Sequence, residues 1–147
     1  MNNTNEMSVS FSSNAQNESF ARMVIAAFIT GTNPTLEEVS DVKTAVSEAV
    51  TNSIIHGYRN NTGQVIVNAK VTGRKIYIEI IDYGDGITDV KKAMEPMYTT
   101  RPDEERSGMG FSFMEAFMDR IEVESEVGKG TTVKMWKEIG TAGRQFE

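Results

Sequence analysis

The sequence predicts an α+β fold: a two-layer sandwich in which helices cover one face of a mixed, mostly antiparallel sheet. Two observations lead to this prediction. Segments rich in Val and Ile come in pairs joined by short Gly-containing turns, which is typical of antiparallel hairpins. Segments with apolar residues at three- and four-residue spacings lie before and between those pairs, as amphipathic helices require.

Five strands are predicted. The first covers residues 7–11, where Met7, Val9 and Phe11 alternate with Ser. A short Gly73-Arg74 turn joins the segments 64–72 and 75–82 into the first hairpin. The second hairpin joins residues 120–127 to residues 131–139 around a Gly-Lys-Gly turn.

Four helices are predicted. The first covers residues 18–29, and Gly31 and Pro34 break the pattern after it. The second begins after Thr35, which forms a capping box with Glu38, and its helical pattern runs to Gly57. A short helix is expected near residues 90–94 and another over residues 110–119, with a charged loop over residues 95–107 between them.

The length of 147 residues is enough for one hydrophobic core and too small for two comfortable domains. We assign residues 1–140 to a single domain and residues 141–147 to a flexible tail. Residues 1–16 lack the features of a signal peptide, and no apolar run approaches the length that spans a membrane. A cytoplasmic location without membrane contact is therefore expected.

The composition excludes several classes of function. With 15 Lys and Arg against 21 Asp and Glu, the net charge is -6, so direct nucleic-acid binding is not expected. The chain has no Cys, which excludes disulfides, thiolate zinc sites and cysteine nucleophiles. One His is too few for a His-rich metal site.

Three groups of polar residues are candidates for chemistry. Glu48 and Asn52 lie one helical turn apart, on nearly the opposite side of their helix from its apolar stripe. The segment from Asp82 to Gly86 directly follows an apolar strand, where a carboxylate is held rigidly and glycines let a ligand approach the backbone. Residues 107–110 open a helix whose free N–H groups suit phosphate. Each pattern alone is common in loops and on solvated helix faces.

The order of these motifs carries more information than any one of them. The patterns Glu48-x-x-x-Asn52, Asp82-x-Gly84-x-Gly86 and Gly108-x-Gly110, followed by Thr131, are similar to the nucleotide-binding boxes of the gyrase, chaperone, histidine-kinase and MutL ATPase superfamily, which has the Bergerat-type ATP-binding fold. The longer phrases at residues 48–58, 98–102 and 105–111 resemble the anti-sigma F factors of sporulating bacteria, which are serine kinases. The resemblance extends over residues 7–139.

The resemblance implies ATP and Mg²⁺ as cofactors and gives roles to individual residues. Glu48 is expected to act as general base, Asn52 to ligate Mg²⁺, and Asp82, supported by Thr131, to accept a hydrogen bond from the adenine amino group. Gly84 and Gly86 are expected to let the purine approach the backbone. His56, one turn beyond Asn52, is expected either to touch the phosphates or the lid, or to be an ordinary polar residue at the helix end. The resemblance further implies a lid that holds the phosphates and contains Thr99, Thr100, Arg106, Gly108, Met109, Gly110 and Phe111.

The resemblance also implies partners. A sigma factor F would be kept from RNA polymerase core, and a serine of an anti-anti-sigma factor would be phosphorylated. Arg22, on the first helix, matches the partner-binding arginine of the family. A homodimer is expected, because the family is dimeric and the first strand has an edge that could pair with a second subunit.

Two alternatives stay open at this point, and two others are disfavoured. A general-stress-type anti-sigma kinase would differ in the sigma factor that it holds, and a non-catalytic module would bind ATP only to regulate a partner. A sensor histidine kinase should bring a phosphoacceptor His outside the nucleotide-binding helix, and the only His here is His56, within that helix. A gyrase- or MutL-type clamp needs a following transducer domain, for which the expected single domain leaves no room.

Overall fold

The structure, a computed structural model, describes residues 4–95 and 110–140. The elements of the described part are β1 (Thr4–Ser12), α1 (Asn17–Phe28), α2 (Leu36–Asn52), β2 (Gln64–Thr72), β3 (Lys75–Asp82), α3 (Val90–Ala93), α4 (Phe111–Phe117), β4 (Arg120–Glu126) and β5 (Gly130–Glu138). A 3₁₀ turn, Ile29–Thr32, follows α1, and a π-helical turn, Ser53–Gly57, follows α2.

The strands form one five-stranded sheet in the order β1-β2-β3-β5-β4. Every strand pairing within the described residues is antiparallel, so the sheet lacks the parallel pair that a mixed sheet would contain. The predicted fold class, an α+β sandwich built on a mostly antiparallel sheet, is confirmed. The predicted hairpin over residues 64–82 is present. In its register, Val65 pairs with Asp82 and Thr72 pairs with Lys75.

The core lies on one side of the sheet. Along β2 and β3, buried residues alternate with partly or fully exposed ones, as expected for a sheet that helices cover on one face. The buried side of β3, which includes Ile78 and Ile80, belongs to the same apolar cluster as Val42, Val46 and Val50 of α2. This packing fixes α2 on the sheet and determines which of its side chains face away from the core.

The second predicted helix differs from the observed one at its end. The α-helical hydrogen bonding of α2 stops at Asn52, and the chain continues to Gly57 as a π-helical turn. Such turns are rare and occur frequently at functional sites. The helical periodicity of the sequence does not distinguish an α turn from a π turn, so it predicted one continuous helix.

Some expectations concern residues outside the described ranges. These are the tail over residues 141–147 and most of the predicted lid. Of the lid residues 99–111, residues 99–109 lie outside the described ranges. Within the described part of the chain, no helix is both long enough and apolar enough to cross a membrane.

Glu38 connects the start of α2 to the segment that follows β5. Its backbone N–H donates to Thr35 Oγ1 at 3.1 Å and its Oε1 accepts the Thr35 N–H at 2.9 Å, which confirms the predicted capping box. Its Oε2 accepts the N–H of Gly140 at 2.8 Å. Burial raises the pKa of Glu38, but hydrogen bonds from the Thr35 and Gly140 backbone outweigh burial and hold that pKa below its ordinary value.

We predict that Glu38→Ala lowers the free energy of unfolding by about 1–2 kcal/mol, because a buried cap and its bond to Gly140 are lost together. Glu37→Ala, at an exposed neighbouring position, is the matched control and should change it by less than about 0.5 kcal/mol. Since the folded pKa of Glu38 is depressed, its contribution is present above the ordinary pKa of 4.5 and is lost as the pH falls through the folded value. Urea unfolding at several pH values measures both effects, and equal losses in the two variants would contradict the prediction.

Candidate functional site

A cleft of about 310 Å³ opens where the end of α2, the π-helical turn, the end of β3, the start of α4 and the start of β5 meet. The structure brings six of the residues that the sequence singled out into its lining: Asn52, His56, Asp82, Gly86, Phe111 and Thr131. These residues are up to 79 positions apart in the sequence (131 − 52 = 79), so only the fold brings them together.

Asp82, the last residue of β3, is the buried acid of the cleft and is 4% exposed. Burial raises the pKa of Asp82, and hydrogen bonds from the Gly84 N–H, the Ser53 side chain and the Thr131 backbone act in the opposite direction. The Gly84 N–H lies 3.0 Å from Asp82 Oδ1. Thr131 reaches the carboxylate because it is the residue paired with Asp82 across β3 and β5. The fold thus holds one carboxylate in place at the cleft.

The glycines of the Asp82–Gly86 segment are required by contacts between parts of the chain. A Cβ on Gly84 would lie 2.1 Å from the carbonyl oxygen of Gly57, and that same oxygen accepts the N–H of Asp85 at 2.8 Å. Gly86 has φ +77° and its Cβ would lie 2.2 Å from the Glu126 carbonyl oxygen. The resemblance explained both glycines by the need for a purine to come close to the backbone. In the structure, the close contact between these backbone segments already requires glycine at both positions.

Three residues support the cleft although the sequence did not single them out. Ser53 hydrogen-bonds to Asp82. The Tyr58 hydroxyl accepts the N–H of Tyr83 at 2.8 Å, which ties the segment after β3 to the end of the π-helical turn. Ser125 Oγ accepts the N–H of Ile87 at 2.8 Å and lies 2.7 Å from Thr131 Oγ1. The only signal for Ser53 is its place next to Asn52, and no local pattern indicates the other two contacts.

Glu48 lies beside the cleft and is not among its lining residues. Its side chain is partly buried on α2, and burial followed by the negative charge of Glu18 on α1 raises the pKa of Glu48. A Cβ on Gly110 would lie 2.3 Å from Glu48 Oε2, so the carboxylate packs directly against the backbone at the start of α4. Gly110 allows this contact and has φ +65° as the residue that caps α4. A carboxylate with a raised pKa beside a cleft is suited to accept a proton.

Arg22 is not among the residues that line the cleft. Arg22 is on α1, where its Nε atom is 2.8 Å from Glu18 Oε1. Five lid residues lie outside the described ranges: Thr99, Thr100, Arg106, Gly108 and Met109.

We predict that Gly84→Ala destabilises the fold by about 1–3 kcal/mol, because the added methyl group meets the Gly57 backbone, which cannot move without opening the contact between β3 and the π-helical turn. Gly31→Ala is the matched control, since a Cβ there meets no atom within 4 Å. Urea unfolding of both variants tests this. Equal stability of Gly84→Ala and wild type would show that the two segments are not held together as described.

Comparison with known proteins identifies the family of the chain. The family model described as a histidine kinase-like ATPase domain matches residues 11–137. An anti-sigma F factor from Thermoanaerobacter pseudethanolicus is 58% identical over 141 residues, which cover 96% of this chain and 99% of that protein. An anti-sigma F factor from Clostridium acetobutylicum is 57% identical over 135 residues, covering 92% of this chain and 94% of the relative.

Solved structures show the same fold at low identity. A crystal structure of the RsbU and RsbW domains of a Mycobacterium tuberculosis protein superposes with a TM-score of 0.67 at 17% identity, covering 92% of this chain and 32% of that longer one. The catalytic domain of the histidine kinase ThkA superposes with a TM-score of 0.55 at 14% identity, covering 90% of this chain and 96% of that one. Family model, relatives and fold together show that the chain belongs to the anti-sigma F factor family, within the histidine kinase-like ATPase domains.

Proposed function

We propose that this protein is a cytoplasmic anti-sigma factor and protein serine kinase. It binds a sigma factor F, keeps it from RNA polymerase core, and transfers the γ-phosphate of ATP to a serine of an anti-anti-sigma factor. The observation that carries the proposal is the cleft lined by buried Asp82 and by Asn52, with the carboxylate of Glu48 beside it. The name of the relatives, anti-sigma F factor, supports the sigma factor as partner.

Asp82 selects the base in this proposal. Its carboxylate is held by Gly84, Ser53 and the backbone of Thr131, all of which restrict its orientation. An ionised carboxylate only accepts hydrogen bonds, so it suits the amino group of adenine. Thr131, 9% exposed and held beside Ser125, supports the same end of the cleft.

Asn52 holds the phosphate end. Its amide oxygen is a ligand type that Mg²⁺ accepts, and one protein ligand suffices because Mg²⁺ keeps several waters and binds phosphate oxygens. Mg²⁺, when bound, neutralises phosphate charge during transfer. The resemblance assigns Arg106 to the γ-phosphate, and it assigns Thr99, Thr100, Gly108, Met109 and Gly110 to the lid. His56 and Phe111 line the cleft next to Asn52.

Glu48 takes the proton in the transfer step. The serine oxygen of the substrate attacks the γ-phosphorus, the bond from that phosphorus to the bridging oxygen breaks, and ADP leaves. The serine proton passes to Glu48. Partial burial favours proton acceptance because it raises the pKa of Glu48.

We propose that partners bind at α1 and that the protein forms a dimer. The Arg22 side chain as a whole is 40% exposed, although its Nε atom is buried beside Glu18. The strand β1 forms one edge of the sheet within the described residues, and this edge could pair with a second copy of the chain. We propose a homodimer that binds one or more partners through Arg22.

We predict that the protein binds ATP more tightly than GTP by about 1–3 kcal/mol, because Asp82 would face the guanine carbonyl oxygen, another acceptor, in the same pose. Asp82→Asn supplies an amide that can donate, so it should reduce this preference. Calorimetric titration with both nucleotides measures it. Indistinguishable ATP and GTP affinities in the wild type would exclude Asp82 as the residue that reads the base.

We predict different defects for the two α2 variants. Glu48→Gln keeps the shape and cannot take a proton, so phosphotransfer should fall about 10²–10⁴-fold while ATP binding and inhibition of sigma-dependent transcription remain. Asn52→Ala removes the metal ligand, so ATP affinity, inhibition and transfer should all fall.

The assay combines the purified protein with ATP, a sigma factor F and an anti-anti-sigma protein, and measures phosphoserine and complex formation. Transfer at the wild-type rate by Glu48→Gln would show that Glu48 is not the base. No transfer by the wild type, with nucleotide-dependent binding of the sigma factor intact, would instead favour the non-catalytic ATP-regulated module.

A further inference from the structure

A chain of polar contacts connects α1 to the segment of α2 that carries Glu48. The Arg22 Nε atom is buried and lies 2.8 Å from Glu18 Oε1. The same carboxylate oxygen accepts the hydroxyl hydrogen of Ser47, the residue before Glu48. Glu18 is only 23% exposed, so its charge is less screened than that of a typical surface acid.

Glu18 also acts on Glu48 through space. Its negative charge is the second cause, after burial, of the raised pKa of Glu48, which shows that the two carboxylates are close enough to repel. Glu48 Oε2 also packs against the backbone of Gly110, next to the cleft-lining Phe111. Glu48 is thus acted on by a like charge on α1 and is in contact with the backbone at the start of α4.

We propose that Glu18 is a positioning residue for Glu48: it holds α2 through Ser47, and its charge, kept in place by Arg22, directs the Glu48 carboxylate toward Gly110 and the edge of the cleft. The proposal rests on the proposed kinase function, because it gives the base its orientation. The hydrogen bond to Ser47 fixes the turn of α2 that precedes the base, and the repulsion disfavours side-chain rotamers of Glu48 that point toward α1.

The arrangement has a consequence for the partner surface. Arg22 is the residue through which we propose that partners bind, and its guanidinium already balances the charge of Glu18. An acidic group of a partner that pairs with Arg22 competes with Glu18 for that guanidinium. Partner binding on α1 is thereby linked to the orientation of the base on α2.

The test compares Glu18→Gln, which removes the charge and keeps an acceptor for Ser47, with Ser47→Ala, which removes the hydrogen bond and keeps the charge. Single-turnover phosphotransfer at saturating ATP and anti-anti-sigma protein should fall in both variants, by about tenfold and by no more than the roughly 100-fold that a misplacement of 1 Å produces. The ATP dissociation constant and the thermal midpoint should stay at wild-type values. Glu37→Gln and Ser40→Ala, at exposed positions of α2, are matched controls and should transfer at the wild-type rate.

Transfer at the wild-type rate in both variants would overturn the proposal, and so would parallel losses of ATP affinity or folding, which indicate a merely structural role. A second measurement does not depend on kinase activity. In carbon-13 NMR of the nucleotide-free protein, Glu18→Gln should lower the pKa of Glu48 toward its ordinary value, and an unchanged pKa would contradict the contact. If the wild type transfers no phosphate, the proposed function fails while this NMR measurement still decides whether Glu18 acts on Glu48.

Discussion

Burial of the Asp82 carboxylate is the constraint around which the cleft is arranged. A carboxylate that is 4% exposed must be hydrogen-bonded, because leaving a buried polar group unpaired costs about 1–3 kcal/mol or more. Its donors come from three places in the chain: the turn after β3, the π-helical turn and the paired strand β5. These segments must therefore approach one another closely, and Gly57, Gly84 and Gly130 are the positions where their backbones meet.

The π-helical turn brings the end of α2 close to the segment that follows β3. The apolar side of α2 packs on the sheet, including Ile78 and Ile80 of β3, and the turn that follows the helix reaches Asp82 at the end of that strand. At Ser53–Gly57 the chain presents the carbonyl of Gly57 to the Asp85 N–H and the side chain of Ser53 to Asp82. One helix thereby places Asn52 in the cleft and Glu48 beside it, while the change from α-helical to π-helical geometry after Asn52 brings the chain to Asp82.

Much of the fold could be predicted because its signals are local. Alternation predicted the strands, periodicity predicted α1 and α2, and the Thr35 and Glu38 pair predicted the start of α2. Six of the residues that line the cleft were singled out because their ordered motifs resemble those of a known superfamily. What the sequence did not predict depends on contacts between distant positions, such as Tyr58 with Tyr83 and Ser125 with Ile87. The end of the α-helical geometry at Asn52 was missed because residues 53–57 retain a helical pattern.

We propose that ATP binds against Asp82 on the helix-covered side of the sheet. Titration of the isotope-labelled protein with Mg²⁺ and ATP, followed by backbone amide resonances, is the direct test. Binding there should strongly shift the amides of Gly84 and Thr131, which hydrogen-bond to Asp82, and leave those of Lys70 and Lys134, on the uncovered face of the sheet, unchanged. Strong shifts at Lys70 and Lys134 with none at Gly84 and Thr131 would show that the nucleotide binds elsewhere.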